Sequence, residues 1–119
     1  MIVINYKDKR PIYEQIIDQF ERLILTNVLK IDEAIPSVRN LSKDLSINPN
    51  TIQRAYQELE KEGFIYTIKG RGSFVCKEEK AISHFKQQWK DDLKKLIKEG
   101  LVIKLTKKEI YDVIDEFFK

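Results

Sequence analysis

One cysteine, one histidine and four glycines in 119 residues close off several kinds of chemistry at once. Cys76 has no second thiol for an internal disulfide, which agrees with a reducing compartment, and it reads as a small packing residue. His84 stands alone on a lysine-rich stretch. A metal or catalytic role would need companions that the chain lacks, so it reads as solvent-exposed. No nucleophile, base and orienting group occur in a recognisable order, and no glycine loop could cradle a phosphate; neither an enzyme, a metal site nor a cofactor is expected. No apolar run approaches membrane-spanning length, and the opening MIVINYKDKRP soon turns polar. The expectation is a cytoplasmic protein with neither signal peptide nor membrane span.

A strong excess of one charge is also missing. The net charge is +3, and residues 1–76 hold 11 Lys and Arg against 10 Asp and Glu, while residues 77–119 hold 11 against 9. Any anionic partner must therefore be met by local placement. One such place exists: between Gly63 and Lys77 the only charged residues are Lys69, Arg71 and Lys77, all positive.

What is present is a pattern of five helices and one hairpin. Pro11 suits a first helical position, and Ile12, Ile16, Phe20, Leu23 and Ile24 recur at helical spacing up to Asn27, which tolerates the left-handed turn of a helix end. Ser37 can cap a short second helix with Val38, Leu41 and Leu45 inward and Arg39 and Lys43 outward. Asn48 and Pro49 open a third, which buries Ile52, Ala55, Tyr56 and Leu59 and ends at Gly63.

Two short helices joined by so tight a turn form a helix-turn-helix, whose second helix can enter a DNA groove. Its outward residues Asn50, Thr51, Gln53, Arg54 and Gln57 are short or planar hydrogen-bonding side chains suited to base edges and phosphates. The first turn also aims backbone N–H groups and the positive helix end at a phosphate, while Glu58, Glu60 and Glu62 would repel DNA further along. A solvated polar face explains the same periodicity. The next segment favours the first reading: FIYTI and SFVC are β-rich runs around KGRG, a hairpin with Arg71 at its tip. A basic-tipped hairpin after a helix-turn-helix makes a winged helix, and its arginine can enter a narrow minor groove.

PIYEQI, IPSVRNLS, NPNTIQRAYQELEKEGFI and GRGSFV, in that order over residues 6–76, resemble the DNA-binding domain of the GntR family of bacterial transcription regulators. The resemblance implies a winged helix that binds an inverted-repeat operator in double-stranded DNA as a dimer. By motif position, Arg39 would hold the DNA backbone or a base beside it, residues Asn48 to Arg54 would face the major groove, and Lys69, Gly70, Arg71 and Gly72 would make the wing tip. Two positions depart from the family pattern: Asp32 stands where a glycine usually precedes the PS block, and Ser46 replaces the usual turn glycine.

Residues 77–119 form a separate helical tail. Ile82, Phe85, Trp89, Leu93, Leu96 and Ile97 line one stripe of a helix running from Glu78 to Glu99 and closed by Gly100. Thr106 and Glu109 spell a capping box, with Leu105 and Ile110 as its hydrophobic staple, for a last helix with Ile110, Val113, Ile114 and Phe117 inward and Tyr111 and Phe118 beside them. Two helices cannot bury such aromatics alone, so Phe85, Trp89, Leu93, Leu96, Tyr111, Ile114 and Phe117 are expected to meet a second copy. Asp91, Asp92, Asp112, Asp115 and Glu116 read as solvated helix faces. The short tail resembles the YtrA-like subfamily, where it serves dimerisation, and implies a repressor of an operon encoding a membrane transporter. A small-molecule effector, if there is one, belongs between the aromatic helices, although a dry, filled interface is expected there. The alternative is a winged-helix module used for protein contacts; Arg39, Arg54 and Arg71 on one side favour DNA.

Overall fold

The computed structural model describes residues 1–118. In chain order it contains α1 (Ile12–Leu25), α2 (Val38–Leu45), α3 (Pro49–Glu62), β1 (Ile65–Ile68), β2 (Gly72–Val75), α4 (Glu79–Val102) and α5 (Lys107–Asp115). The chain divides into two compact units at His84 and Phe85, inside α4.

The first unit is built on α1 packed against α3. Ile16, Phe20 and Ile24 lie four residues apart on one stripe of α1 and are fully buried, as are Ile52, Ala55 and Leu59 on α3. Phe64, Val75 and Ala81 complete this core. Phe20 meets Tyr56 edge to face with ring centroids 5.6 Å apart. The Tyr56 hydroxyl donates to the carbonyl of Pro36 at 2.8 Å, tying the approach to α2 onto α3. Burial pushes the Tyr56 phenol well above its ordinary range, so it stays a donor.

The N-terminal arm is held by side chains in place of a strand partner. Gln15, itself buried, accepts the Asn5 N–H at 3.0 Å and donates to the Asn5 carbonyl at 3.1 Å, while one turn on Gln19 accepts the Val3 N–H at 2.8 Å. A glutamine amide offers the same donor and acceptor as a peptide group, so α1 presents the arm with a short imitation of a β-edge.

Antiparallel pairing of β1 and β2 sets Ile65 opposite Val75, Tyr66 opposite Phe74, Thr67 opposite Ser73 and Ile68 opposite Gly72. The outer edge of β2 is also occupied: Asp32 N–H donates to the Val75 carbonyl at 2.7 Å, Val75 N–H to that of Glu33, and Ile35 N–H to that of Ser73. The segment before α2 thus closes an edge that would otherwise stand open.

Four helices end alike, on a left-handed residue whose N–H and that of its successor turn back onto the last carbonyls. The left-handed residues are Asn27 (φ 62°), Ser46 (54°), Gly63 (88°) and Lys104 (65°). At Gly63 the bonds run to Glu60 and, from Phe64, to Leu59; at Lys104 they run to Leu101 and, from Leu105, to Gly100. Gly63 also has a steric reason, because a Cβ there would stand 2.5 Å from the Glu78 carboxylate.

The capping box at Thr106 and Glu109 forms as expected, with Thr106 Oγ1 accepting the Glu109 N–H at 3.1 Å and Glu109 accepting the Thr106 N–H at 3.2 Å. Two boundaries differ from the sequence reading. Pro11 is the cap before α1 rather than its first helical residue, because its ψ of 148° is extended. Gly100 does not close α4; the helix runs on to Val102 and Lys104 makes the turn. The glycine gives room to Leu105 instead, whose Cδ1 would lie 3.1 Å from a Cβ at that position.

Candidate nucleic-acid interface

The start of α3 and the tip of the hairpin both carry exposed polar groups. α2 is capped by Ser37, whose hydroxyl accepts the Asn40 N–H at 3.0 Å, and α3 by Asn48, whose Oδ1 accepts the Asn50 N–H at 2.8 Å. The turn between them rests on Ser46, and the Ser42 hydroxyl donates to the Ile47 carbonyl beneath it. Arg39, Asn48, Asn50, Gln53, Arg54 and Gln57 are exposed and Thr51 is half-buried. Asn48 works first as a cap, and only its amide N–H groups remain free. The N–H groups expected to face a phosphate at the start of α3 are taken as well, because Asn50 bonds the cap, Thr51 N–H donates to the Asn48 carbonyl at 3.0 Å, and Pro49 has no donor. Side chains therefore carry the chemistry of this helix end.

The hairpin is aimed by contacts the sequence did not announce. Glu60 accepts the Thr67 N–H at 3.0 Å and so ties α3 to β1, a structural use for a carboxylate whose charge would repel DNA. Tyr66 stacks on Phe74 with centroids 5.5 Å apart and donates to Asp32 at 2.8 Å. Asp32 holds a left-handed conformation of the kind that favours glycine (φ 69°) and adds this bond to the wing. At the tip, the Arg71 N–H donates to the Ile68 carbonyl at 2.9 Å, and Gly70 and Gly72 take φ values of 81° and 115° with open space around them. Those glycines are required by conformation rather than by crowding. Between α2, α3 and the hairpin runs a cleft of about 220 Å³ lined by Ser37, Gln53, Gln57, Thr67 and Ser73.

Ion pairs are few in the first unit; Lys43 and Lys61, away from the recognition face, form none with any described residue. Arg10 bonds Asp8 at 2.9 Å and also Asp18, and the hydrogen bonds from the Arg10 side chain and backbone N–H hold the Asp8 carboxyl below its ordinary range. Arg39, Lys69 and Arg71 form no ion pair with any described residue and stand exposed. Arg54 likewise has no ion pair; its guanidinium lies 3.7 Å above the ring of Tyr13. Cys76 follows β2, its thiol donating to the Gly63 carbonyl at 3.3 Å, and burial raises its pKa, which suits packing. His84 is exposed, with Nδ1 3.9 Å from Glu62. No group of His, Cys, Asp and Glu among the described residues could hold a metal ion, and no described helix is long and apolar enough to cross a membrane.

The second unit presents a different surface. Phe85 and Leu93 are half-buried, whereas Trp89 (54%), Leu96 (63%), Tyr111 (51%), Ile114 (41%) and Phe117 (78%) are open.

A helix-turn-helix with unpaired cations, followed by a basic-tipped hairpin, defines a winged-helix DNA-binding protein. The family described as bacterial regulatory proteins, gntR family, matches residues 12–75, and the chain belongs to this GntR family of DNA-binding transcription regulators, which are not enzymes. It is 41% identical over 99 residues to the HTH-type transcriptional repressor YtrA of Bacillus subtilis, covering 82% of this chain and 76% of that protein. An alignment of that length exceeds the first unit and so includes part of the tail. A GntR family transcriptional regulator from Listeria monocytogenes has a similar structure, with a TM-score of 0.74, 32% identity and coverage of 92% of this chain and 96% of that one. The N-terminal domain of AraR, solved in complex with mutant ORR3, aligns at a TM-score of 0.54 and 27% identity over 56% of this chain and 96% of that one.

Proposed function

We propose that the protein is a homodimeric repressor, acting in the cytoplasm, that binds an inverted-repeat operator through two winged helices. The observation that carries this reading is the division of labour along the chain. Among the described residues the winged unit leaves Arg39, Arg54, Lys69 and Arg71 without ion pairs, on or near a polar recognition helix, and the tail leaves Trp89, Leu96, Tyr111 and Phe117 open to water. Exposed aromatics on two amphipathic helices are costly unless covered, and a second copy covers them with an identical, self-complementary surface. Asn50, Gln53 and Arg54 then address base edges in the major groove, Arg39 a neighbouring phosphate, and the tip from Lys69 to Gly72 the adjacent minor groove.

The likeness to a protein named as a repressor supports repression, because a dimer seated on an operator excludes polymerase without needing any chemistry. The resemblance to the YtrA-like subfamily supports an operon encoding a membrane transporter, often together with the regulator itself, as the target. Relief of repression requires a signal that binds two arrangements of the recognition helices unequally, and the aromatic face of the tail is where an effector would act. Footprinting on the DNA upstream of its own gene, joined to sedimentation of the purified chain, tests the reading. Two protected half-sites about 34–36 Å apart and a dimer at micromolar concentration are expected. A monomer that protects a single unrepeated site overturns it.

A further inference from the structure

The motif PIYEQI places Tyr13 in the first turn of α1, remote in sequence from the recognition helix, yet its ring lies under Arg54 of α3 with the guanidinium carbon 3.7 Å from the ring centroid. We infer that Tyr13 is a positioning residue for DNA recognition, which holds the Arg54 guanidinium ready at the surface of α3 for the acceptor oxygens and nitrogens of duplex DNA. The inference rests on the DNA-binding reading of α3 and adds to it a residue outside the helix-turn-helix.

Three observations carry it. Arg54 has Glu58 one turn further along α3, the usual distance for a helical ion pair, but it makes none and stacks on Tyr13 instead. A guanidinium held by its face keeps its N–H donors, which lie in its plane, free for a bidentate acceptor such as guanine O6 and N7 or a phosphate; an ion pair with Glu58 would consume them. Tyr13 is itself only half-exposed and sits on the helix whose Ile16 and Phe20 anchor the core, so the ring is a fixed platform. An exposed arginine loses rotamer freedom when it binds DNA, and one already stacked loses less, so the ring raises affinity without touching the nucleic acid.

The test uses the full chain, a duplex carrying its footprinted operator, and an unrelated duplex of equal length. Tyr13→Leu is expected to weaken operator binding about 5- to 20-fold, the range of a single cation–π contact. Tyr13→Phe, which keeps the ring, should restore binding to within about twofold of the parent. Arg54→Ala should lose at least as much as Tyr13→Leu, and adding Tyr13→Leu to Arg54→Ala should cost nothing further. If Arg54 meets a base, the loss falls on the operator alone. If it meets a phosphate, both duplexes weaken and the salt slope falls by about 0.9. A ring-current shift of the Arg54 side-chain resonances in the free protein, lost in Tyr13→Leu, reads the stacking without DNA, and a cooperative thermal transition by circular dichroism matching that of the parent shows that the variant is folded. Operator binding by Tyr13→Leu equal to the parent overturns the inference, as do losses that multiply in the double variant. A parent chain that binds neither duplex sinks the DNA-binding reading instead, and the ring-current arm then stands alone.

Discussion

The two units of this chain solve the problem of apolar surface in opposite ways. In the winged unit Phe20, Ile52, Leu59, Phe64 and Val75 are fully buried, and the remaining polar surface is left for a ligand. In the tail, α5 buries no side chain of its own, and large apolar side chains stand open to water, Phe117 and Phe118 at 78% and 77% among them. A helix of nine residues is marginal in water by itself. Its capping box fixes where α5 starts, but caps supply far less stability than a covered apolar face. The contrast teaches that the winged unit has a core of its own and that the tail has none by itself, which the proposed dimer would supply.

Removing the tail breaks that comparison most severely. A chain ending at His84 keeps every residue of the winged core, including Ala81, and should stay folded, with a cooperative thermal transition by circular dichroism. It should sediment as a monomer and lose operator affinity by about 10²- to 10⁴-fold, because the second half-site is no longer held at high effective concentration. Operator binding by the shortened chain equal to that of the full one would refute the role given to the tail.

On the proposed reading the two units also differ in what their cations are for. Arg71 is the arginine at the hairpin tip and makes no ion pair with any described residue, so Arg71→Ala should cost about 1–3 kcal/mol of operator binding, measured by titration at physiological salt. Lys94 on the tail is the control: it is exposed on a solvated helix face, and Lys94→Ala should change affinity by less than about 0.5 kcal/mol. Equal losses at the two positions would mean that DNA feels only the total charge.

Much of this architecture is legible in the sequence because it is local. Ser37, the Asn48–Pro49 pair and the box of Thr106 and Glu109 announce helix starts through contacts spanning two or three residues, and the structure makes each one. Helix ends are harder to read, since the left-handed turn falls on whichever residue the packing leaves there. Gly100 looked like a terminator and became a space for Leu105, while Lys104 took the strained conformation. The contacts that aim the candidate site are harder still. Tyr13 with Arg54, Glu60 with Thr67, and Tyr66 with Asp32 join segments far enough apart that only the folded chain brings them together.

Burial has an electrostatic consequence in the winged unit. Glu21 is nearly covered on α1, and burial, reinforced by the nearby Asp18 and Glu62 carboxylates, pushes its pKa from 4.5 up to about 7. The folded chain then keeps a proton that the unfolded chain releases, so stability is fully present below about pH 4.5 and falls as pH rises toward and through 7. Glu21→Gln removes the ionisable group while keeping its shape. It should flatten this pH dependence and raise stability at pH 8 by about 2 kcal/mol, read from urea unfolding at pH 5 and pH 8. An unchanged slope between those pH values would show that the side chain reaches water.

The finest comparison sets one position in each unit side by side. Ser46 ends α2 at φ 54° and Lys104 ends α4 at φ 65°, both in the left-handed region where a Cβ crowds the neighbouring carbonyl. Glycine removes that clash, worth about 1–2 kcal/mol, but returns about 0.4–1 kcal/mol to the unfolded chain as freedom. Ser46→Gly should therefore gain about 0.5–1 kcal/mol and raise the melting temperature of the winged unit by a few degrees. The gain should be the same in the full chain and in the chain ending at His84, because the turn at Ser46 lies wholly within the winged unit. Lys104→Gly relieves the same strain in the tail, where the stability at stake is that of the covered state. Its effect should appear as tighter self-association in dilution experiments and leave the melting of the shortened chain's core untouched, since that chain does not contain it. A melting gain from Ser46→Gly that vanishes on shortening would mean that the winged unit does not stand on its own core.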